Sequence, residues 1–196
     1  MRPLRHNYIA YMLVVNFNSF PILSTERLTL RRILQSDVDD LFVLRRDENI
    51  MRYIPRPLAA SSEDVIKLIQ VIDEGTDNNE SINWAITLKK ENKLIGTIGF
   101  VRMSKENHRA EVGYLLHADY QGKGIMQEAL VRVINFGFYD IKLHSIEAVI
   151  DPANTASAKL LERNNFIKEA HFKENFFYEG KFLDSIHYGL LTPINR

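Results

Sequence analysis

The sequence predicts a mixed α/β fold in which helices flank a largely antiparallel, twisted sheet. Two features carry that expectation. The hydrophobic period switches repeatedly between two and 3.6 residues, so strands and helices alternate along the chain. Near the middle, three strand-like runs follow one another across short polar turns, a spacing that antiparallel neighbours allow and parallel ones do not.

Taken in order, the chain begins with MRPLRHNYIAYMLVVNF, where two arginines precede the apolar run Tyr8 to Val15. That run is too short to span a bilayer and no small-residue cleavage site follows it. Residues 1–20 are therefore expected to be an N-terminal extension, and residues 21–196 a single domain. ERLTLRRI alternates as a strand. In SDVDDLFVLRR, Ser36 is the expected N-cap, acids fill the first turn, and Leu41 and Leu44 share a face. SSEDVIKLIQVIDEG repeats the scheme, with Val65, Leu68, Ile69 and Ile72 at helical spacing and Gly75 as the stop. INWAITL, KLIGTIGFV and RAEVGYLLH are the three strands of the meander, joined by turns such as KKEN and SKEN. Met126, Ala129, Leu130, Val133, Ile134 and Gly137 then mark a long amphipathic helix that leads to the strand SIEAVI. A helix over NTASAKLLERNN and a hairpin from FIKEAHFKENFF to KFLDSIHYGLL across YEGK complete the chain.

Composition removes whole classes of function. At 196 residues the chain is one domain of ordinary size, able to bury roughly 70% of its unfolded surface. Its 25 basic and 25 acidic residues cancel without a run of like charge, so neither nucleic acid nor an anionic membrane is an expected partner. A small molecule or a protein terminus fits better. Cysteine is absent, which removes disulfides, thiolate metal sites and a covalent thiol intermediate, and suits a cytoplasmic protein. The six histidines show no metal-ligand spacing.

The stretch HADYQGKGIMQEA, between the strand EVGYLL and a helix, contains the chemistry most open to physical reasoning. A strand-to-helix junction exposes free N–H groups at the positive end of a helix, where phosphate is favoured, and Gly122 and Gly124 would let that phosphate approach the backbone. Two familiar phosphate loops do not fit. His117 stands where a P-loop needs its first glycine, no Ser or Thr follows Lys123, and Gln127 stands where a dinucleotide fingerprint needs its last glycine. On the bare glycines, a plain turn before a helix is an equal reading.

Gln121-Gly122-Lys123-Gly124-Ile125-Met126 resembles the Q/R-x-x-G-x-G/A pyrophosphate loop of the GNAT N-acetyltransferase superfamily, and the preceding AEVGYLL and following EAL match as well. DPANTASAKLLERNNF resembles that superfamily's second signature, in the branch of ribosomal-protein N-terminal serine and alanine acetyltransferases, and STERLTLRRI and FLDSIHYGLL fit the same branch. The likeness covers roughly residues 21–191. It implies a sheet splayed after its fourth strand, acetyl-CoA in the gap as cosubstrate, and direct acetyl transfer to an amine, with a ribosomal-protein N-terminus as a possible acceptor and a monomer or homodimer as the assembly. Leu115, Leu116, Gln121, Gly122, Lys123, Gly124, Ile125, Met126, Asn154 and Ser157 are the implied cofactor-binding residues. Two positions depart from the pattern. Met126 replaces the loop's last Gly or Ala at a position already helical, where methionine is a good former. Asn165 replaces a Gly at the expected left-handed end of a helix, where asparagine is the next best residue.

Amine acetylation needs an unprotonated nucleophile. A free α-amine of pKa about 7.7 to 8.0 is roughly a tenth neutral at pH 7, a lysine under a thousandth, so a terminal amine asks less of an enzyme. Glu111, on the strand that leads into the glycine loop, is the candidate base; its other reading is a strand carboxylate paired with Arg102 or Arg109. By analogy with the branch, Ser157 is the candidate acid, though serine is also common in a first helical turn. Asn154 serves the pantetheine amides or caps that helix, and the two are compatible. Tyr188 is a second candidate acid or a packing residue. No serine beside a His and carboxylate set is evident. The expected function is transfer to a protein N-terminal α-amine. The alternatives are an antibiotic or polyamine acetyltransferase, and a non-catalytic acyl-CoA-binding module.

Overall fold

INWAITL forms strand β3 (Ile82–Leu88), and the next two runs form β4 (Gly96–Ser104) and β5 (Arg109–Leu116), antiparallel in sequence as expected. The computed structural model describes residues 12–194. Around the meander lie β1 (Leu23–Ser24), β2 (Leu28–Arg32), β6 (Ser145–Ile150), β7 (Ile167–Tyr178) and β8 (Lys181–Leu191). They make one eight-stranded sheet in the order β1-β2-β3-β4-β5-β6-β8-β7, in which only β5 and β6 run parallel. Helices α1 (Val38–Arg46), α2 (Glu48–Met51), α3 (Ser62–Asp77), α4 (Ile125–Asn135) and α5 (Thr155–Arg163) complete the mixed α/β architecture.

Both faces of the central strands are covered, which explains why β3 reads as a nearly continuous apolar run. On one face Ile125, Met126, Ala129, Leu130 and Val133 of α4 pack with Trp84, Ile98 and Phe100. Trp84 meets Phe100 and Phe136 edge-on, and its Nε1 donates to the Pro21 carbonyl at 2.7 Å. On the other face Leu41 and Leu44 of α1 and Val65 and Ile69 of α3 pack with Ile33, Ala85 and Leu94. Part of the segment read as an extension belongs to the core on the α4 face: Leu13 and Phe17 are buried there, and the Phe17 N–H donates to Asn79 at 2.6 Å. The remainder of the apolar run, Tyr8 to Tyr11, lies outside the described residues.

Three local expectations change. Ser36 is not the N-cap of α1; it lies in a 3-10 turn, Gln35–Asp37, and the buried Asp37 carboxylate accepts the Leu34 N–H while gripping Arg31 with both oxygens at 2.7 Å. Gly75 does not stop α3, which runs on to Asp77; a Cβ there would lie 2.4 Å from Ser81 Oγ, so the glycine serves close packing. The helix carrying Met126 to Ile134 ends at Asn135, and Gly137 falls in a buried π turn, Phe136–Asp140, that leads toward β6. At the end of α5, Asn165 adopts φ 63°, the left-handed stop expected of it.

Candidate active site

Strands β5 and β6 pair over three positions only, Arg109 with Ser145, Ala110 with Ile146 and Glu111 with Glu147. Strand β5 continues against β4 to Leu116, and β6 continues against β8 to Ile150. Beyond Glu111 the two strands therefore diverge, as the splayed sheet requires; β5 is the fourth strand of full length. From Val112 to Leu116 the edge of β5 that faces β6 has no strand partner. Backbone groups in such a cleft need hydrogen bonds, and a ligand bearing amides can supply them. Leu115 and Leu116 lie at the far end of this open edge.

The glycine loop starts where β5 ends. The Gln121 side chain turns back to donate to the Leu116 carbonyl at 3.1 Å, and a 3-10 turn, Ala118–Tyr120, fills the span between them. Gly122 and Gly124 hold φ of 70° and 74°, a region closed to most side chains. Gly124 is the N-cap of α4 and the first ladder bond runs from Glu128 N–H to its carbonyl, which leaves the N–H groups of Ile125, Met126 and Gln127 ahead of the ladder. Nothing lies within 4 Å of a Cβ placed on Gly122, so the loop presents bare backbone. Met126 is helical and buried in the core, and so does not crowd the loop.

Across the cleft, the Asn154 side chain caps α5 by accepting the Ser157 N–H at 3.1 Å. Its amide nitrogen stays available. Ser157 thus stands in the first turn of α5, facing Tyr114 of β5. Tyr114 was not singled out in the sequence, where an aromatic residue on a strand signals packing. Its phenol is pushed up to about 12 by burial, with the Ser157 hydroxyl acting in the opposite sense. The Ser157 contact lacks hydrogen-bond geometry, and the buried Tyr114 Oη has no hydrogen-bond partner among the described residues. Such an orphan beside an open strand edge fits a ligand that brings its own polar atoms. Tyr114→Phe is accordingly expected to leave the melting temperature of the free protein unchanged or slightly raised, while acetyl-CoA binds about 3- to 10-fold more weakly, since one hydrogen bond is worth about 0.5–1.5 kcal/mol. A drop in melting temperature with unchanged affinity would assign Tyr114 to the fold alone. Tyr188 is placed elsewhere: it is buried in the core and donates to Glu162 at 3.0 Å in the last turn of α5, and burial, then that carboxylate, holds its proton on. Its partner Glu162 and Ser157 sit at opposite ends of α5.

Ala110 and Val112 of β5 pack toward α4, so Arg109 and Glu111 project from the other face. There a cavity of about 780 Å³ opens, lined by Val71, Glu74, Asn78 and Glu80 from the α3 side and by Arg102, Arg109 and Glu147 from the sheet. A bulge at Val101 sets Arg102 opposite Glu111, and the Arg102 Nε and Nη2 both contact Glu111 Oε2, at 2.8 and 2.6 Å. The pairing anticipated as an alternative thus forms, and among the described residues it leaves Oε1 without a hydrogen-bond partner. Arg109 pairs with Glu147. Farther along this face Ser185 does sit beside a histidine, His187, at 3.1 Å, but Asn175 is its other partner, and no carboxylate orients the imidazole among the described residues. No group of His, Asp and Glu that could hold a metal occurs among the described residues.

A sheet opened at one point, with a glycine-capped helix start on one face and a carboxylate-bordered cavity on the other, is the arrangement of an acyltransferase that presents a coenzyme A thioester to an amine. The sequence profile of the acetyltransferase (GNAT) domain matches residues 27–167, and the chain belongs to that family. It is an N-acetyltransferase with acetyl-CoA as cosubstrate. It is 32% identical to an uncharacterized N-acetyltransferase of Bacillus subtilis, YoaA, over 89% of this chain and 98% of the relative. A spermidine N(1)-acetyltransferase of Vibrio cholerae is 25% identical over 81% of this chain and 89% of its own length. The crystal structure of a ribosomal-protein-S5-alanine acetyltransferase from Vibrio fischeri superposes with a TM-score of 0.76 at 28% identity, covering 88% of this chain and 97% of that one. No helix among the described residues is long and apolar enough to cross a membrane.

Proposed function

We propose that the chain transfers acetyl directly from acetyl-CoA to a protein N-terminal α-amine. The observation that carries this reading is the wide cavity on the face of the sheet opposite the glycine loop, lined by Arg102, the residue that holds Glu111. Donor and acceptor then enter the cleft from opposite sides and meet at its apex. The loop amides and the open edge of β5 hold the donor and polarise its carbonyl. Glu111 takes the amine proton through water, the amine nitrogen bonds to the acyl carbon as the carbon–sulfur bond breaks, and the Ser157 hydroxyl supplies the proton to sulfur and is reprotonated from solvent as Glu111 releases the amine proton. No covalent enzyme intermediate is needed, and the absence of cysteine agrees with that. The similarity to the S5-alanine enzyme supports a terminal amine as acceptor.

A second reading draws on one feature of the cavity. Arg102 and Arg109 are spent on Glu111 and Glu147, whereas Glu74 and Glu80 form no ion pair among the described residues, a surplus that would suit a polyamine. Steady-state turnover across a panel separates the two. Peptides beginning with Ser or Ala are expected to show kcat/KM at least about 10-fold above spermidine and other small amines, a gap of about 1.4 kcal/mol in transition-state binding. A preference for spermidine would replace the first reading with the second. Tight acetyl-CoA binding with no acceptor turned over would point to a binding module.

A further inference from the structure

Glu128 is an awkward neighbour for a phosphate. It is the acid in the first turn of α4, and an unscreened carboxylate there would repel the anion that the loop amides attract. Its charge is engaged from the turn between β1 and β2. Oε1 accepts the Thr25 hydroxyl and the Arg27 backbone N–H, and Oε2 accepts Arg27 Nε at 2.6 Å. The Arg27 guanidinium then reaches on to the loop itself, where Nη1 donates to the Lys123 carbonyl at 3.0 Å and Nη2 lies 3.5 Å from the point a Cβ on Gly124 would occupy. The Arg27 side chain is 46% exposed, so the ion pair is not there chiefly for stability.

We propose that Arg27 is a positioning residue for the donor, and that it acts through the Lys123–Gly124 peptide. In a planar trans peptide the C=O and the following N–H point in opposite directions. Pinning the Lys123 carbonyl to Arg27 therefore aims the Gly124 N–H away from the arginine, toward the concave side of the loop, while the same guanidinium cancels Glu128. One residue about a hundred positions upstream thus sets both the direction of a loop amide and the charge beneath the anion site.

The inference rests on the reading that the loop holds the pyrophosphate of acetyl-CoA, and the test keeps the two apart by comparing acetyl-CoA with acetyl-pantetheine, which lacks that group. In the wild type, KM is expected to be far lower for acetyl-CoA. Arg27→Ala should raise the KM for acetyl-CoA about 10-fold, the loss of about one well-aimed charged contact, with kcat within about twofold and no change toward acetyl-pantetheine. Arg27→Lys should track alanine, because a single ammonium cannot bridge Glu128 and the Lys123 carbonyl in fixed geometry. If the wild type uses both donors with equal KM, the pyrophosphate reading fails. If it discriminates, but Arg27→Ala loses equally on both donors, loses nothing, or is fully rescued by lysine, the role assigned to Arg27 is overturned.

Discussion

Gly124→Val is expected to weaken acetyl-CoA binding by about 100-fold while leaving the protein folded. The structure shifts the reason from crowding to backbone geometry: the space beyond Gly124 is open except for Arg27 Nη2 at 3.5 Å, but φ is 74°, where a β-branched residue is strongly disfavoured. Relief of that strain rotates the Gly124 and Ile125 amides off the anion, and each charge-assisted contact is worth about 1.5–3 kcal/mol, so losing one or two accounts for the effect. The cost to folding is smaller. A left-handed non-glycine residue costs about 1–2 kcal/mol, and this loop is exposed, against a typical domain stability of about 5–15 kcal/mol. Calorimetry on the folded variant checks it, and an unchanged Kd would remove the loop from donor binding.

What was legible in the sequence divides along physical lines. Short apolar or alternating runs bounded by polar turns located β3, β5 and β6 to within a residue, because both strand length and turn position were written locally. The stop at Asn165 and the cap at Asn154 were equally local. Ser36 and Gly75 misled because tertiary contacts outweighed their propensities: Asp37 had Arg31 to grip, and Ser81 needed the room beside Gly75. In the site, the glycines stood out by residue type. Tyr114 and Arg27 did not, since a strand tyrosine and an arginine in an alternating run have ordinary explanations, and only the fold brings them to Ser157 and Lys123. Glu111 stood out together with its competing role, and of the two the structure shows the pairing, with Oε2 held by Arg102.

The second large effect is expected at that carboxylate. Glu111→Gln keeps the shape of the side chain and a contact for Arg102 but removes the proton acceptor, so kcat should fall by roughly 10²-fold, the usual range for a general base, with acetyl-CoA binding expected to be unchanged if the donor lies at the glycine loop as proposed. An α-amine of pKa about 7.7 to 8.0 becomes neutral unaided as the pH rises to about 9, so the variant should recover part of its rate there. Ser157→Ala impairs departure of the thiolate instead, and deprotonating the acceptor does nothing for it. The pH–rate profiles of these two variants, measured side by side with a peptide acceptor from about pH 6 to 9, test most directly the division of the cleft into an acceptor face and a donor face. Rescue of Glu111→Gln at high pH with a flat, persistent defect in Ser157→Ala is the expected result. Equal, small defects in both across the range would contradict it, and would leave backbone amides and positioning as the source of catalysis.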